Sequence, residues 1–313
     1  MNPVFPSEGI LVALWLPVDE HGSLDRPALR QHFAWLRGCG IHGVMALGSS
    51  GRFPLMDVKW RRDALEFFAE LAEDLPVIAN VSDIRPAVVA ELGRAAKGLG
   101  LAGISVMPPW FYRAGHDDQL AFFEAAADAA DLPVLIYNFP ELTGNRIAAE
   151  TVAAFADRRP MGGIKQSGGE FDYHRELIAL GREKNFAVFS GSDTRLPEVF
   201  ELGAAGCIGG LVNIVPEYMV AQFNHHRRGV PMDLEPTRSR MAEVGRIVDR
   251  LPLPVNVMAG VEARGWKAGS DVSILSAETR RVMDEVAYDL RKALTSWNLP
   301  LGPLAKNLAG TAE

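Results

Sequence analysis

The stretch PVLIYNFPELTGNRIAAETVAAFADRRPMGGIKQ, residues 133–166, places one amphipathic run between two apolar runs. Residues 133–138 and 163–166 are near-continuous apolar runs, which are typical of strands buried on both faces. Residues 148–156 have the period of a helix. A strand, a helix and a second strand in this order predict a β-α-β unit with two parallel strands.

The same unit repeats on both sides of this stretch. Eight apolar runs predict strands, at residues 10–15, 43–47, 75–81, 102–107, 133–138, 163–166, 186–190 and 207–211. Each is followed by a predicted helix, at residues 25–37, 58–72, 86–99, 118–130, 148–156, 173–181, 195–202 and 217–227. Eight such units predict a (β/α)₈ TIM barrel. An open doubly wound sheet is the main alternative, but residues 15–19 lack the glycine-rich nucleotide motif that usually follows its first strand.

Beyond about residue 231 the pattern contains helical periods only. Residues 236–251, 254–264 and 278–297 predict three helices, and the Gly-, Pro- and Ala-rich residues 299–313 predict an irregular tail. We therefore expect a barrel domain, residues 1–230, that contains the active site, followed by a C-terminal all-α region, residues 231–313.

The composition excludes several classes of protein. Of the 313 residues, 48% are hydrophobic and 23% are charged, as in ordinary soluble globular proteins. The net charge of −7, without a basic block, argues against a nucleic-acid or membrane partner. Cys39 and Cys207 form neither a disulfide framework nor a metal-binding pair, which favours a reducing compartment. Because no basic segment precedes the apolar residues 10–18, they predict a strand rather than a signal peptide, and we expect a cytoplasmic protein.

Lys165 is the most informative residue, because it interrupts the sixth apolar run. Burying an ammonium group costs several kcal/mol unless the charge is paired or neutralised. A lysine that such a site holds neutral is an amine nucleophile, which can form a Schiff base with a ketone or aldehyde. The structural alternative is a lysine at a strand end whose methylene stem carries the ammonium to solvent.

Several polar residues occupy the carboxyl ends of the predicted strands, where the catalytic residues of TIM barrels lie. They are Gly48, Ser49, Ser50 and Gly51 after the second strand, Tyr137 on the fifth, Lys165 on the sixth, and Gly191 and Asp193 after the seventh. An amine, a phenol and a hydroxyl-bearing glycine turn suit carbonyl chemistry. The lysine would form an iminium, the tyrosine would move protons, and the turn would donate hydrogen bonds to a carboxylate.

With these motifs the chain resembles the dihydrodipicolinate synthase / N-acetylneuraminate lyase family of class I pyruvate aldolases. The resemblance rests on GSSG at 48–51, YNFP at 137–140 with TG at 143–144, GIK at 163–165, SGSD at 190–193, and GCI at 206–208 followed by Asn213 and Pro216. It spans the whole barrel, and the helical tail is similar to the C-terminal helices of the family.

The resemblance implies a role for each residue. Lys165 would form the Schiff base with pyruvate or another 2-keto acid, so that neither an external cofactor nor a metal is expected. Tyr137 would be the acid/base, Ser49 would join its hydroxyl relay, and Ser49 and Ser50 would bind the carboxylate. Ile208 would pack against the pyruvyl methyl group. The implied assembly is a homotetramer or a dimer of dimers.

These positions also have structural interpretations. Tyr137 could be a core tyrosine with a satisfied hydroxyl, and Ser49 and Ser50 could be plain turn residues, since Gly and Ser are common in turns. Ile208 could be ordinary barrel filling.

Three features depart from the family pattern. Arg52 stands where a glutamate usually follows the glycine turn. Glu141 and Leu142 occupy positions where the synthases carry an arginine that holds the carboxylate of the aldehyde substrate. Trp110 falls where a tyrosine from a neighbouring subunit would complete the relay, and an indole cannot relay a proton as a phenol does. These departures favour an aldolase, or a dehydratase of a 2-keto-3-deoxy sugar acid or similar keto acid, over dihydrodipicolinate synthase.

Two substrate-side residues each have two interpretations, and a third has a possible role in the relay. Asp193 could bind substrate hydroxyls or cap the following helix. Arg52 could hold a distal carboxylate in a bidentate pair or be a solvated surface residue. Tyr112 could replace the missing tyrosine of the relay.

Two other functions remain open at this level. One is a non-catalytic paralogue that binds keto acids without turnover, which the Arg52 and Trp110 departures motivate. The other is a metal-dependent barrel hydrolase. None of the seven histidines forms a helical i, i+4 pair, so the sequence favours neither a metal site nor this class.

Overall fold

The computed structural model describes residues 4–304. Within that range eight parallel strands form one closed barrel in chain order, and the last strand pairs with the first. The strands are β1 (Gly9–Ala13), β2 (Gly43–Ala46), β3 (Val77–Asn80), β4 (Gly103–Val106), β5 (Val134–Asn138), β6 (Met161–Gln166), β7 (Ala187–Ser190) and β8 (Gly206–Gly209). The predicted TIM barrel is confirmed.

Helices surround the barrel and continue beyond it. Those between and after the strands are α1 (Arg26–Gly38), α2 (Val58–Leu71), α3 (Pro86–Gly98), α4 (His116–Ala130), α5 (Pro140–Thr143), α6 (Ala149–Ala156), α7 (Tyr173–Lys184), α8 (Leu196–Leu202) and α9 (Pro216–Arg228). The C-terminal helices are α10 (Leu234–Val248), α11 (Val255–Ala263) and α12 (Ala277–Ser296). Among the described residues, no helix combines the length and the apolar character needed to cross a bilayer.

Side-chain caps explain where two of the outer helices begin. The Asp25 carboxylate accepts a hydrogen bond from the backbone N–H of Ala28 at 3.0 Å, and Asp57 accepts one from Trp60 at 2.7 Å. Each cap satisfies a donor that the first helical turn leaves without a backbone partner. Both helices therefore begin within a residue of the predicted position.

Some predicted boundaries are wrong, because apolar runs continue into buried loops. β1 ends at Ala13, and the backbone N–H of Trp15 donates to the side chain of Asn213 at 2.9 Å instead of a neighbouring strand. Leu211, predicted as strand, begins a 3₁₀ turn. The four-residue helix α5 is absent from the prediction, since it is too short to show a period. Of the predicted irregular tail, residues 305–313 lie outside the described range.

The amino ends of the strands close around Phe5. A Cβ atom at Gly103 would lie 2.6 Å from the Phe5 ring, and one at Gly162 would lie 2.5 Å from it. At Gly206 a Cβ would lie 1.9 Å from the carbonyl oxygen of Gly9. These glycines are required by close packing, because real side chains do not approach so near.

The C-terminal helical region reaches the opposite end of the barrel, where the strands have their carboxyl ends. The indole N–H of Trp15 donates to the carbonyl of Ala268 at 2.8 Å. The backbone N–H of Ser270 donates to the carbonyl of Val18, also at 2.8 Å. The predicted division at residue 230 falls between α9 and α10. That the two parts are separate domains stays a prediction.

Candidate active site

Lys165 lies near the carboxyl end of β6, opposite Tyr137 in the pairing of β5 with β6. The residue is only 4% exposed, and its Nζ atom lies 4.2 Å from the centre of the Tyr137 ring. The interpretation in which its stem carries the ammonium to solvent is therefore wrong. The structure places an amine in a desolvated position on the face of an aromatic ring, where the π-electrons stabilise a cation.

Tyr137 links this amine to the glycine turn after β2. Its buried hydroxyl lies 3.3 Å from the hydroxyl of Ser49, so the three predicted catalytic residues form one chain of contacts. The turn that presents Ser49 is tight, because a Cβ at Gly48 would lie 2.5 Å from the Met45 methyl group. Leu47 precedes it with φ at 58° in the left-handed region.

The other predicted substrate-side residues of the glycine turn and of β8 are buried. Ser50 is buried, and a Cβ at Gly210 would lie 3.1 Å from its hydroxyl. A Cβ at Gly51 would lie 3.1 Å from the carbonyl oxygen of Leu14, so this turn packs directly on the loop after β1. Ile208 is fully buried on β8. The binding roles of these residues stay predictions.

Gly191 packs closely against Ser167 beside the lysine. A Cβ at this position would lie 2.1 Å from the Ser167 hydroxyl and 3.4 Å from Cε of Lys165. A larger residue would therefore displace Ser167 and crowd the carbon next to the amine.

Asp193 does not cap the following helix, and that interpretation is wrong. Helix α8 has Arg195 at its N-cap position, and the Asp193 carboxylate accepts hydrogen bonds from the backbone N–H of Leu211 at 2.8 Å and from the thiol of Cys207 at 3.3 Å. Burial raises the pKa of Asp193, although these hydrogen bonds and the charge of Lys165 oppose the rise. Asp193 thus ties the loop after β7 to the end of β8.

Arg52 is not a solvated surface residue, since it is only 4% exposed. Its two terminal nitrogens donate to the carbonyls of Leu16 at 2.5 Å and Ser270 at 3.4 Å. The guanidinium also lies over the Trp15 ring, 4.1 Å from its centre. Burial lowers the pKa of Arg52 to about 10, against the opposing charge of Asp271. Both terminal nitrogens of the guanidinium therefore donate hydrogen bonds within the protein.

A cavity of about 330 Å³ opens beside Ser49, and we call it the apolar cavity. Its walls come from the loop after β2, the end of β4 and the loop after it, α5, and the segment before α11. Its principal side chains are Phe53, Leu55, Met107, Trp110, Leu142 and Pro254. Most of these residues are absent from the predicted site, because loop residues show no period and Pro254 comes from the C-terminal region.

The departures from the family pattern meet at this cavity. Arg52, Trp110 and Leu142 all contribute to its lining. Trp110 packs edge-on to Phe53, with ring centres 5.7 Å apart. Tyr112 instead lies exposed beside Phe111, so it does not join the contact of Tyr137 with Ser49 in the same chain.

Among residues 4–304, no three His, Cys, Asp or Glu side chains form a cluster that could hold a metal ion.

Known proteins resemble this chain in sequence and in fold. A family profile described as the dihydrodipicolinate synthetase family matches residues 6–287. The 4-hydroxy-tetrahydrodipicolinate synthase of Natronomonas pharaonis is 28% identical over 290 residues, which cover 91% of this chain and 98% of the relative. The 2-keto 3-deoxygluconate aldolase from Picrophilus torridus superposes with a TM-score of 0.75 at 25% identity, over 81% of this chain and 92% of that one. YagE, a prophage protein of the dihydrodipicolinic acid synthase family from Escherichia coli K12 solved with pyruvate, superposes with a TM-score of 0.84 at 24% identity, over 93% and 99% of the two chains.

Proposed function

The chain belongs to the dihydrodipicolinate synthetase family and is a Schiff-base lyase of the class I aldolase type, and we propose that Lys165 carries its reaction on pyruvate or a 2-keto acid derived from it. The observation that supports this most directly is the position of the buried Lys165 amine. It lies 4.2 Å from the centre of the Tyr137 ring, and Tyr137 is on the neighbouring strand β5. Because the lysine itself forms the covalent bond, we propose that no external cofactor or metal takes part.

In the cleavage direction, the Lys165 amine attacks the C2 carbonyl carbon of a 4-hydroxy-2-keto acid, and loss of one water gives an iminium. The C3–C4 bond then breaks, and its electron pair moves into the iminium to form an enamine. Tyr137, which has given its hydroxyl proton to the departing water, takes the proton of the C4 hydroxyl as the aldehyde leaves and returns that proton to C3. Water then hydrolyses the iminium to pyruvate and the free amine, with no net oxidation.

The residues around the lysine have matching roles. The turn from Gly48 to Gly51 would bind the C1 carboxylate through backbone N–H groups and the Ser50 hydroxyl, while Ser49 exchanges protons with Tyr137. Gly191 would lie beside the bound keto acid, and Ile208 would contact its methyl end. Each Asp193 oxygen accepts one hydrogen bond in the protein, so a second bond from a substrate hydroxyl is compatible with its position.

The synthase reaction is the alternative, in which pyruvate condenses with an aldehyde that carries a carboxylate. The similarity to a synthase over 98% of that relative favours it. Against it, Leu142 offers no charge to the carboxylate, and both terminal nitrogens of Arg52 are engaged. Turnover of aspartate semialdehyde with pyruvate, compared with cleavage of 2-keto-3-deoxygluconate, decides between the two.

We also propose a homotetramer or a dimer of dimers in the cytoplasm. The exposed aromatic pair Phe111 and Tyr112 supports an assembly, because such side chains favour an interface. The free thiols of Cys39 and Cys207 suit a reducing compartment. Light scattering after size-exclusion chromatography measures the assembly, and a monomer at micromolar concentration would contradict it.

The proposed function is tested by borohydride reduction in the presence of pyruvate, followed by intact-mass analysis. We expect one pyruvyl adduct in the wild type, none in Lys165→Ala, and one in Lys59→Ala, whose side chain is 86% exposed. An adduct that persists in Lys165→Ala, or none in the wild type, would overturn the proposal. An adduct without turnover of any aldehyde or keto acid would favour the non-catalytic paralogue.

A further inference from the structure

The apolar cavity shares Ser49 with the chain of catalytic contacts. The Ser49 hydroxyl lies 3.3 Å from that of Tyr137, which would take the proton of the C4 hydroxyl. A substituent on C4 of the keto acid is therefore adjacent to the cavity when its hydroxyl faces Tyr137. The residues that line the cavity would therefore contact the aldehyde half of the substrate.

The walls of the cavity are aromatic and aliphatic. Phe53 and Trp110 form an edge-on pair, and Leu55, Met107 and Leu142 add aliphatic surface. A hydroxylated chain placed here would lose hydrogen bonds to water without regaining them, whereas an apolar chain gains by leaving water.

The polar members of the lining are largely engaged within the protein. Thr143 donates its hydroxyl to backbone carbonyls, of which that of Asn145 is 3.0 Å away. Both terminal nitrogens of Arg52 donate to the carbonyls of Leu16 and Ser270. Among the described residues that line the cavity, Arg52 is the one that bears a charge. A sugar chain or a distal carboxylate would therefore find few partners.

From this lining we propose that the aldehyde reactant or product carries an aryl or branched alkyl group, which occupies the apolar cavity. The inference rests on the proposed function, since it names the aldehyde that the Schiff-base lyase takes. The volume of about 330 Å³ is at the lower end of ligand cavities, which span roughly 300–1,000 Å³, and it suits a single ring. The reaction is cleavage of a 4-hydroxy-2-keto acid with an apolar C4 substituent to pyruvate and an apolar aldehyde, or the reverse condensation.

A polar cavity bordered by Gly191 supplies the competing arrangement. It has a volume of about 390 Å³ and is lined by Gly191, Ser192 and Asp193 among others. A hydroxylated aldehyde would bind there, so the two cavities predict opposite preferences for the aldehyde.

The test compares kcat/KM for condensation of pyruvate with benzaldehyde and isovaleraldehyde against glyceraldehyde. We expect the apolar aldehydes to be preferred by at least about 10-fold, since one methylene in an apolar pocket changes kcat/KM by roughly 10–200-fold. The borohydride adduct with pyruvate is measured on the same wild-type enzyme. No adduct means that the proposed function has failed.

Two matched substitutions locate the preference. Leu142 and Val230 are 48% and 50% exposed, so an arginine is tolerated sterically at either position, but only Leu142 lines the cavity. We expect Leu142→Arg to lower the benzaldehyde-to-glyceraldehyde ratio of kcat/KM at least about 10-fold, and Val230→Arg to leave the ratio unchanged. Circular dichroism verifies that both variants fold.

Three results would overturn the inference while the pyruvate adduct keeps the proposed function intact. The first is a preference of the wild type for glyceraldehyde, which assigns the aldehyde to the polar cavity. The second is an unchanged ratio in Leu142→Arg. The third is an adduct with pyruvate but no turnover of either apolar aldehyde.

Discussion

The two ends of the barrel use the same strand for different purposes. At the amino end of β6, Gly162 has no side chain because the Phe5 ring occupies that space. Three residues later, at the carboxyl end, Lys165 places an amine against Tyr137. The amino end satisfies close packing, whereas the carboxyl end buries polar groups that an apolar core would avoid. The difference shows that stability and chemistry are separated along the strands of one barrel.

The carboxyl end contains several buried polar side chains, and each has a specific contact. Asn138 donates to Gln166 at 2.7 Å, Arg52 donates to two backbone carbonyls, and Asp193 accepts from Leu211 and the thiol of Cys207. Such contacts offset the loss of hydration. Lys165 differs, because its main neighbour is the face of an aromatic ring. Substitutions at the two ends should therefore affect activity and stability separately.

Removing the amine tests the carboxyl end most strongly. We expect Lys165→Ala to lower kcat by roughly 10⁴-fold or more, because no other group forms the covalent intermediate. Its melting temperature should change little, because losing a buried polar end group offsets the loss of the packed methylene stem. Lys59→Ala, on the exposed face of α2, is the control for both measurements. A large loss of stability in Lys165→Ala would remove the contrast between the two ends.

Removing one hydroxyl tests the relay. We expect Tyr137→Phe to lower kcat by about 10²–10⁴-fold, because the ring keeps its packing while the proton-transfer group is lost. KM for pyruvate should change little. Steady-state kinetics measure both, and Tyr288→Phe, an exposed residue of α12, provides the control. A loss below 10-fold would mean that Tyr137 is a core tyrosine rather than the acid/base.

The pH dependence of stability tests the contact between α1 and the C-terminal region. His32 lies between Trp35 and Trp266, with its Nε2 3.2 Å from the carbonyl of Asn213. Burial lowers the pKa of His32 to about 4. Between about pH 6.5 and 4 the unfolded chain binds the proton and the folded one does not. Stability therefore falls as the pH falls through this window, by roughly 3 kcal/mol from this group.

The measurement is urea unfolding of the wild type, His32→Gln and His21→Gln between pH 7 and 4. We expect the unfolding free energy of His32→Gln to fall less steeply with falling pH than that of the wild type, because the contribution of His32 is lost. His21, whose side chain is 80% exposed, should leave the slope unchanged. Equal slopes in all three proteins would refute the assignment to His32.

The smallest effect is expected at the amino end. We expect Gly162→Ala to destabilise the fold by about 1–3 kcal/mol, because the new methyl group must displace the Phe5 ring. The kcat per folded molecule should not change. Gly98→Ala is the matched control, since a Cβ at the end of α3 has no neighbour within 4 Å. Chemical denaturation and active-site titration measure the two quantities, and a fall in kcat would couple the two ends.

The convergence of the candidate catalytic residues could be predicted, because it follows from the order of elements. Lys165, Tyr137 and Ser49 lie at the carboxyl ends of three apolar runs, and closing eight parallel strands brings those ends to one mouth. The environment of Arg52 could not be predicted in the same way. Its partners, Leu16 and Ser270, come from the loop after β1 and from the C-terminal region, and no sequence pattern pairs them.

By itself the sequence determined the barrel and its helices other than α5, and it singled out Lys165 as the candidate amine, since hydrophobic periodicity and strand-end residues are local properties of the chain. Only the tertiary structure decided how the loops meet. It joined Phe53, Trp110, Leu142 and Pro254, from four separate segments, into one apolar cavity beside Ser49. It also turned the Asp193 carboxylate toward β8 rather than toward its own helix. Loops have no period, and their contacts depend on long-range packing, so they could be found only in the folded chain.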